Sequence, residues 1–423
     1  MLTAIVGINW GDEGKGRMVD LLSESFDIVV RYQGGNNAGH TVINEHGKFI
    51  LNLLPSGILR ETTVNVLGNG MVIDLEHLFG EIQTLQGQGV KISPVNLKIS
   101  DKAIVCMPYH RLLDILEEDR LGDEKFGSTR RGIAPVYADK YMKKSIRMAD
   151  LCSENLEHMV ERILEWKNLT IHGGYQNEKI LAADMFNWLQ KYGEYFKDYV
   201  CDVGQYLTDA ADAKKNIMFE AQLGALRDID FGIYPYTSSS STIAAYAPIG
   251  AGIPAKKLDA TIGIIKAYSS CVGEGPFTCE LFGKDAEELR TAGGEYGAAT
   301  GRARRVGGFD VVASKYGVRV QGADHLALTK LDILSYFTKI PVCVAYEIDG
   351  VRTTEFPIGD RLNRAKPVYE YVDGFQADVS TCRTKSDLPQ KALDYIQYIE
   401  NAMGCPIKYV SVGAEREQYI TMF

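Results

Sequence analysis

Two glycine-rich stretches hold the residues best suited to chemistry. The first, GINWGDEGKGR at residues 7–17, follows an apolar run at residues 2–6. A glycine turn between a strand and a helix aims backbone N–H groups at an anion. Gly11, Gly14 and Gly16 supply such a turn, and Lys15 can neutralise phosphate charge. The common phosphate loop has Ser or Thr after its lysine to hold magnesium. Here Gly16 stands at that place, and two acids, Asp12 and Glu13, lie inside the loop. Phosphate repels a neighbouring carboxylate unless a cation intervenes or the acid handles a proton. Asp12 is therefore the candidate Mg2+ ligand, because magnesium takes carboxylates together with substrate oxygens. It is equally a candidate base for phosphoryl transfer to a second substrate. A tight turn with solvated charges is the plainer alternative.

The second stretch, QGGNNAGHT at residues 33–41, follows another apolar run and brings amides and an imidazole to the same edge of a sheet. Open α/β sheets bind ligands at that edge, beyond the carboxyl ends of their strands. His40 could donate to a phosphoryl oxygen as charge develops there. A lone loop histidine is more often structural, but the neighbouring first loop favours the functional reading.

These loops need strands and helices to aim them. Short apolar runs bounded by turns fit buried parallel strands. They occur at residues 2–6, 26–30, 64–67, 104–107, 216–219, 309–313, 327–331, 341–346 and 407–412. Met18, Val19, Leu21 and Leu22 make the apolar face of a helix after the first loop. The pattern predicts an α/β fold: a mainly parallel central sheet with flanking helices and a P-loop-like glycine loop after the first strand. A helical insertion is expected at about 105–206, clearest at about 151–206. There Leu156, Met159, Ile163 and Trp166, then Met185, Trp188 and Leu189, fall at helical spacing and read as core. With no repeat or Pro-rich linker, residues 1–423 are expected to form a single catalytic domain.

Composition narrows the function. The 423 residues are 45% apolar and 24% charged, as in an ordinary soluble chain. A net charge of −9 argues against a general nucleic-acid binder. The eight cysteines form no C-x-x-C pair and sit in no His-rich context, so a zinc site is not expected. No run reads as a signal peptide or membrane span. A reducing cytoplasm with free thiols is the expected setting.

The motifs taken together resemble those of the adenylosuccinate synthetase family, along essentially the whole chain. WGDEGKG, RYQGGNNAGHT, LPSGIL, a GST-x-x-GI-x-P segment, DID-x-G-x-YPY, ATGRARR and LTKLD occur in the family's order. The resemblance implies condensation of IMP with L-aspartate driven by GTP and Mg2+. Asp12 would remove the N1 proton of IMP while the 6-oxygen attacks the γ-phosphorus. His40 would stabilise the phosphoryl in transfer, and the aspartate amine would then displace phosphate at C6. The Gly39 carbonyl would be a second metal ligand beside Asp12. GTP would be held by Gly11, Glu13, Gly14, Lys15, Gly16 and Arg17, by Gly39 and Thr41, and by Arg304. Lys330, Leu331 and Asp332, with Ser411, Val412 and Gly413, would form the guanine pocket. IMP would meet Asp12 to Lys15 of the first loop, Asn37, Ala38, Gly39 and His40 of the second, and Thr129, Lys143, Leu223, Ser238 and Arg302. L-Aspartate would be held by Ala298, Ala299, Thr300, Gly301, Arg302, Ala303 and Arg304. Bidentate arginine suits that dicarboxylic substrate. A homodimer is also implied.

Departures from the family's usual pattern gather on the IMP side. Leu223 stands where a glutamine is expected, with Gln222 displaced by one, and Ser238 replaces a threonine. Lys143 replaces an arginine that reaches the neighbouring subunit's IMP phosphate, and Arg130 and Ala134 replace glycines. Ala299 and Ala303 stand in for a threonine and an arginine of the aspartate segment. A paralogue acting on another 6-oxopurine nucleotide and a non-catalytic GTP-binding regulator are the alternatives to the IMP reaction.

Overall fold

The structure, a computed structural model, describes residues 1–37, 39–44, 47–296 and 303–423. Its first strand, β1 (Leu2–Gly7), is buried along its entire length. Parallel neighbours flank it on both sides, and this is why LTAIVG is apolar without alternation. The remaining strands of the central sheet are β2 (Ile28–Arg31), β3 (Val64–Leu67), β4 (Leu97–Ser100), β5 (Val200–Cys201), β6 (Ile217–Gly224), β7 (Ala260–Lys266), β8 (His325–Thr329), β9 (Ile407–Ser411) and β10 (Tyr419–Thr421). They lie in the order β10-β9-β8-β7-β1-β6-β2-β3-β4-β5. Every pairing is parallel except β9 with β10.

From β1 the chain runs to β2–β5 on one side, returns as β6 between β1 and β2, and builds β7–β10 on the other side. The carboxyl end of β1 is thus the switch point where such sheets bind ligands. A Cβ on Gly7 would lie 2.4 Å from the Leu223 carbonyl oxygen, so only glycine lets β1 and β6 close up as the first loop begins.

Expected strands reappear at most of the apolar runs, with instructive exceptions. The run at 309–313 is strand only over Phe309–Asp310; Asp310 then caps the helix Val311–Gln321, its carboxylate accepting from Ala313 N at 2.9 Å. The run at 104–107 is strand only over Ile104–Val105. The run at 341–346 lies within Lys339–Ile348, which belongs to a separate four-stranded sheet. Four members of the central sheet, β4, β5, β7 and β10, were not among the expected runs.

The expected helical region contains the helices Pro108–Leu121, Ile133–Met142, Leu156–Asn168 and Ala182–Phe196, and its end is β5 of the central sheet. Leu156, Ile163, Leu189 and Phe196 share one apolar cluster with Leu97 and Ile99 of β4, so the helices cover the sheet. Trp166 departs from its expected core role. It is 43% exposed, with Lys144 Nζ 3.2 Å from its ring centre. Among the described residues no helix is long and apolar enough to cross a membrane.

Candidate active site

The first loop folds around one of its own acids. Gly11, Asp12 and Gly14 have φ of 100°, 59° and 93°, and Gly14 is the N-cap of the helix Lys15–Leu22. Aspartate tolerates this left-handed backbone better than most side chains. Glu13 is buried and accepts from Asn9 N at 3.0 Å, Gly11 N at 2.8 Å and Lys15 Nζ at 2.5 Å. Its backbone carbonyl accepts from Thr329 Oγ1 at 2.6 Å, tying the loop to β8. Glu13 therefore braces the turn. Asp12, by contrast, is 35% exposed and meets Arg304 Nη2 through Oδ2 at 3.1 Å.

The second loop leaves β2 and ends at His40, which begins the hairpin His40–Asn44 with Gly47–Leu51 rather than lying within the loop. Thr41 pairs with Ile50 in that hairpin. A Cβ on Gly16 would sit 2.6 Å from the His40 Cβ, so the phosphate-loop helix and this imidazole are in direct apposition. His40 Nδ1 is 2.5 Å from Glu220 Oε1, and Glu220 also accepts from Ser56 N and Oγ, each at 2.8 Å. Burial pulls the imidazole below its ordinary pKa, against the raising influence of Glu220. The Glu220 contact fixes the ring and turns Nε2 away from the carboxylate. Asn37 Oδ1 accepts from Gly35 N at 3.2 Å within the loop, and Gly39 is exposed.

β6 supplies the divergent nucleotide-side residues. Gln222 points inward, donating to the Gly35 carbonyl at 2.7 Å, and its own carbonyl accepts from Gln33 Nε2 at 2.9 Å. Leu223 has φ 59°, a costly conformation for this residue type, and lies against Gly11, whose added Cβ would be 3.6 Å from Leu223 Cδ2. Ser238 Oγ is 3.3 Å from Ser240 Oγ, which donates to Gln33 Oε1 at 2.8 Å.

A third group follows β8 and β9. Arg17 reaches from the helix Lys15–Leu22 to Ser411 Oγ, the Gly413 carbonyl and the Glu415 carbonyl, the last at 2.6 Å. Burial lowers its pKa to about 10. Leu331 and Val412 are buried beside it. Asp332 Oδ1 is a buried acceptor with no hydrogen-bond partner among the described residues, and burial raises its pKa. Lys330, at φ 59°, donates to the Gly293 carbonyl at 2.5 Å and to Glu295 Oε1 at 3.1 Å. Sequence reasoning missed Glu295, together with Lys266 and Tyr268, which also meet its carboxylate. A β-branched signal was present in ATIGIIK, which is β7 and ends in Lys266.

Thr129 and Lys143 stand apart. Thr129 is exposed in a loop pinned from the helix Pro108–Leu121. There Glu118 accepts from Phe126, Gly127 and Ser128 N, each at 3.1 Å, and Asp114 accepts from Ser128 Oγ at 2.6 Å and Gly132 N at 2.8 Å. Lys143 is exposed at φ 60°, at the end of Ile133–Met142. Among the described residues no hydrogen bond or ion pair joins either to the glycine loops. Ala38, Ala298, Ala299, Thr300, Gly301 and Arg302 lie outside the described residues. Ala303 is exposed and pairs with Tyr296 in an isolated bridge.

Loops at the carboxyl ends of β1, β2, β6, β8 and β9 thus gather a glycine turn that opens a helix, a buried pair of carboxylate and imidazole, and a buried acceptor with no partner among the described residues. That combination defines a phosphoryl-transferring, nucleotide-dependent α/β enzyme. Residues 4–420 match the family model of adenylosuccinate synthetase. The adenylosuccinate synthetase of Synechococcus sp. (strain RCC307) is 44% identical over 99% of this chain and 96% of its own length. That of Nostoc punctiforme is 44% identical over 98% and 93%. The solved structure of the fully ligated adenylosuccinate synthetase from Plasmodium falciparum superposes with a TM-score of 0.93 at 35% identity, covering 100% of this chain and 99% of that one. The cyanophage S-2L succinoaminodeoxyadenylate synthetase, bound to dGMP and dATP, shares the fold at a TM-score of 0.62 and 17% identity, with 99% and 95% covered. The chain belongs to the adenylosuccinate synthetase family, the GTP-dependent ligases that join L-aspartate to IMP.

Proposed function

We infer that this chain joins L-aspartate to IMP at the expense of GTP, with Asp12 as the base and His40 as the group that steadies the phosphoryl in transfer. The observation that carries the reading is the apposition of the two loops. The Cβ that Gly16 lacks would fall 2.6 Å from that of His40, so Asp12, Lys15 and the imidazole surround one N-terminal helix turn. Asp12 takes the N1 proton of IMP as the 6-oxygen attacks the γ-phosphorus and GDP leaves. The aspartate amine then displaces phosphate at C6. The first-loop amides and Lys15 hold phosphate, and Arg304 releases Asp12 to face the triphosphate. Asp332, with its free acceptor, receives the guanine N1–H and 2-amino group, beside Lys330 and Ser411–Gly413. Segment 298–304 holds the aspartate carboxylates.

Asp12 and the Gly39 carbonyl are hard oxygen donors, which fits Mg2+. Both lie on exposed faces of their loops. When bound, the ion neutralises triphosphate charge. The free state of the eight cysteines supports a cytoplasmic setting. A homodimer accounts for Lys143: it points from an exposed helix end beside Tyr141 and Met142, 78% and 49% exposed, and its use is across a subunit boundary.

Phosphate release measured with IMP, GTP and L-aspartate, and with each omitted in turn, tests the reading. Release should need all three, and release without aspartate at the full rate overturns it. Replacing IMP by dIMP, GMP or XMP checks the nucleotide. The 44% identity to adenylosuccinate synthetases over nearly the whole chain favours IMP over a paralogous substrate or a regulatory role.

A further inference from the structure

Glu295 lies at the neck of the segment that the proposed function assigns to aspartate. Its backbone carbonyl accepts from Arg304 N at 2.9 Å, and the next pair, Tyr296 and Ala303, forms an antiparallel bridge. Glu295–Tyr296 and Ala303–Arg304 therefore pair as the two sides of a neck. The Glu295 side chain is wholly buried. Its Oε1 receives Lys266 Nζ at 2.9 Å, Lys330 Nζ at 3.1 Å and Tyr268 OH at 2.5 Å. Its Oε2 receives Arg304 Nη1 at 2.9 Å, while the other terminal nitrogen of that guanidinium meets Asp12.

Three cations thus converge on one buried carboxylate. Burial alone would raise the Glu295 pKa; Lys266, Lys330, Tyr268 and Arg304 overcome it and hold the group far below the usual carboxylate range. Burial pulls the Lys266 ammonium down, and the Glu295 charge is the largest influence opposing it. Without the carboxylate charge, Lys266, Lys330 and Arg304 would repel one another with nothing to fix their directions. Lys266 is itself held at its other side by Ser270 Oγ, at 2.5 Å, so the cluster is anchored to strand Ser269–Cys271 as well as to β7. Cations that receive a polyphosphate need an internal anion to orient them before it arrives, and Glu295 is placed to do this.

We propose that Glu295 is a positioning residue that sets the two sides of the neck, Glu295–Tyr296 and Ala303–Arg304, and the GTP-side cations as one unit, by holding Lys266, Lys330 and Arg304, the last of which the proposed function gives to aspartate as well as GTP. The proposal rests on the site assignments above. It implies that GTP and aspartate, which share no contact with Glu295 itself, lose affinity together when its charge is removed, whereas IMP does not.

The test is steady-state kinetics of Glu295→Gln with each substrate varied, together with direct calorimetric titration of GTP. The Michaelis constants for GTP and aspartate should each rise on the order of tenfold, as for one charge-assisted hydrogen bond, with that for IMP changed less than about twofold. GTP binding by calorimetry should weaken by a similar factor. A merely structural role lowers the active fraction, so kcat falls and all three constants stay put; that result overturns the proposal, as does an equal rise for IMP. If Glu295→Gln does not fold, Glu295→Asp carries the same test: the charge is kept but withdrawn by one methylene, and unchanged GTP and aspartate constants overturn the proposal. Absence of turnover by the wild-type chain would count against the proposed reaction, whereas undiminished GTP binding in Glu295→Gln counts against the role of Glu295.

Discussion

On the side proposed for guanine and triphosphate, the cations are already engaged within the chain. Lys15 is held by Glu13, Arg304 by Glu295 and Asp12, Lys330 by Glu295, and Arg17 by the 411–415 loop. On the side proposed for IMP, His40 is held by Glu220. Thr129 and Lys143 are exposed on the helical region, and Leu223 offers no polar atom. The difference separates two modes of preparation. Internal acceptors keep the cations oriented on one side, which limits the ordering required on binding. The other side is left to loops and helix ends that a ligand or a second subunit must draw in.

The largest break in this contrast comes at the junction of the two sides. Asp12→Asn should lower the single-turnover rate of adenylosuccinate formation on the order of 10³-fold or more, because proton removal alone is typically worth 10²–10⁴. The fold should persist, since Asp12 is partly exposed and contributes no core packing. Retention of more than about a tenth of the wild-type rate would refute the assignment of the base.

Next in size is the one prepared group on the IMP side. Glu220→Gln removes the charge that opposes the burial effect on His40, so kcat should drop about 10- to 100-fold. Because a carboxylate partner raises an imidazole pKa, its loss should also move the His40 limb of the kcat/KM profile to lower pH. A pH profile that superposes on the wild type would detach Glu220 from His40 in function.

On the guanine side, Asp332→Asn turns an acceptor-only group into one that also donates. GTP affinity should fall about 10- to 100-fold, the equivalent of about 1.5–3 kcal/mol for a bond to a charged group. The bias against ATP should narrow at the same time. Equal GTP affinity in the variant, read by calorimetry, would place the guanine elsewhere.

How far the sequence revealed this site depends on how the residues reach it. Leu223, Lys330 and Ser411, at the ends of β6, β8 and β9, were named only through the family's motifs. A glycine loop after an apolar run is a local signal, so Asp12 and His40, after β1 and β2, were legible in the residues themselves. Glu295 and Glu220 were not, because each acts through partners distant in sequence: Glu220 through His40, and Glu295 through Lys266 and Lys330. The run at 309–313 shows the converse error. Its apolar residues suit a strand or a buried helix equally, and only the Asp310 cap decides between them. Trp166 fell at core spacing, but the helix Leu156–Asn168 turns that face to Lys144.

The smallest expected effect tests whether the sparse IMP side is a defect or an adaptation. Leu223 sits at φ 59° on β6, against Gly11 of the first loop. Leu223→Gln exchanges one L-residue for another at the same strained backbone, so the conformational cost is common to both and any change reports the side chain. An amide there could reach the nucleotide with one neutral hydrogen bond, about 1 kcal/mol, lowering the Michaelis constant for IMP by up to about tenfold. The constants for GTP and aspartate should move less, because the residues proposed for guanine and aspartate follow β8, β9 and Glu295, across β1 and β7 from β6, and the first-loop backbone that Leu223 packs against is unchanged. Measured with IMP, dIMP, GMP and XMP at saturating GTP and aspartate, the variant distinguishes two cases. If IMP alone improves, Leu223 is a lost contact and the two sides differ only in strength. If another nucleotide is the better wild-type substrate and suffers in the variant, Leu223 packs against a group that IMP lacks, and the apolar contact is a specificity element in its own right.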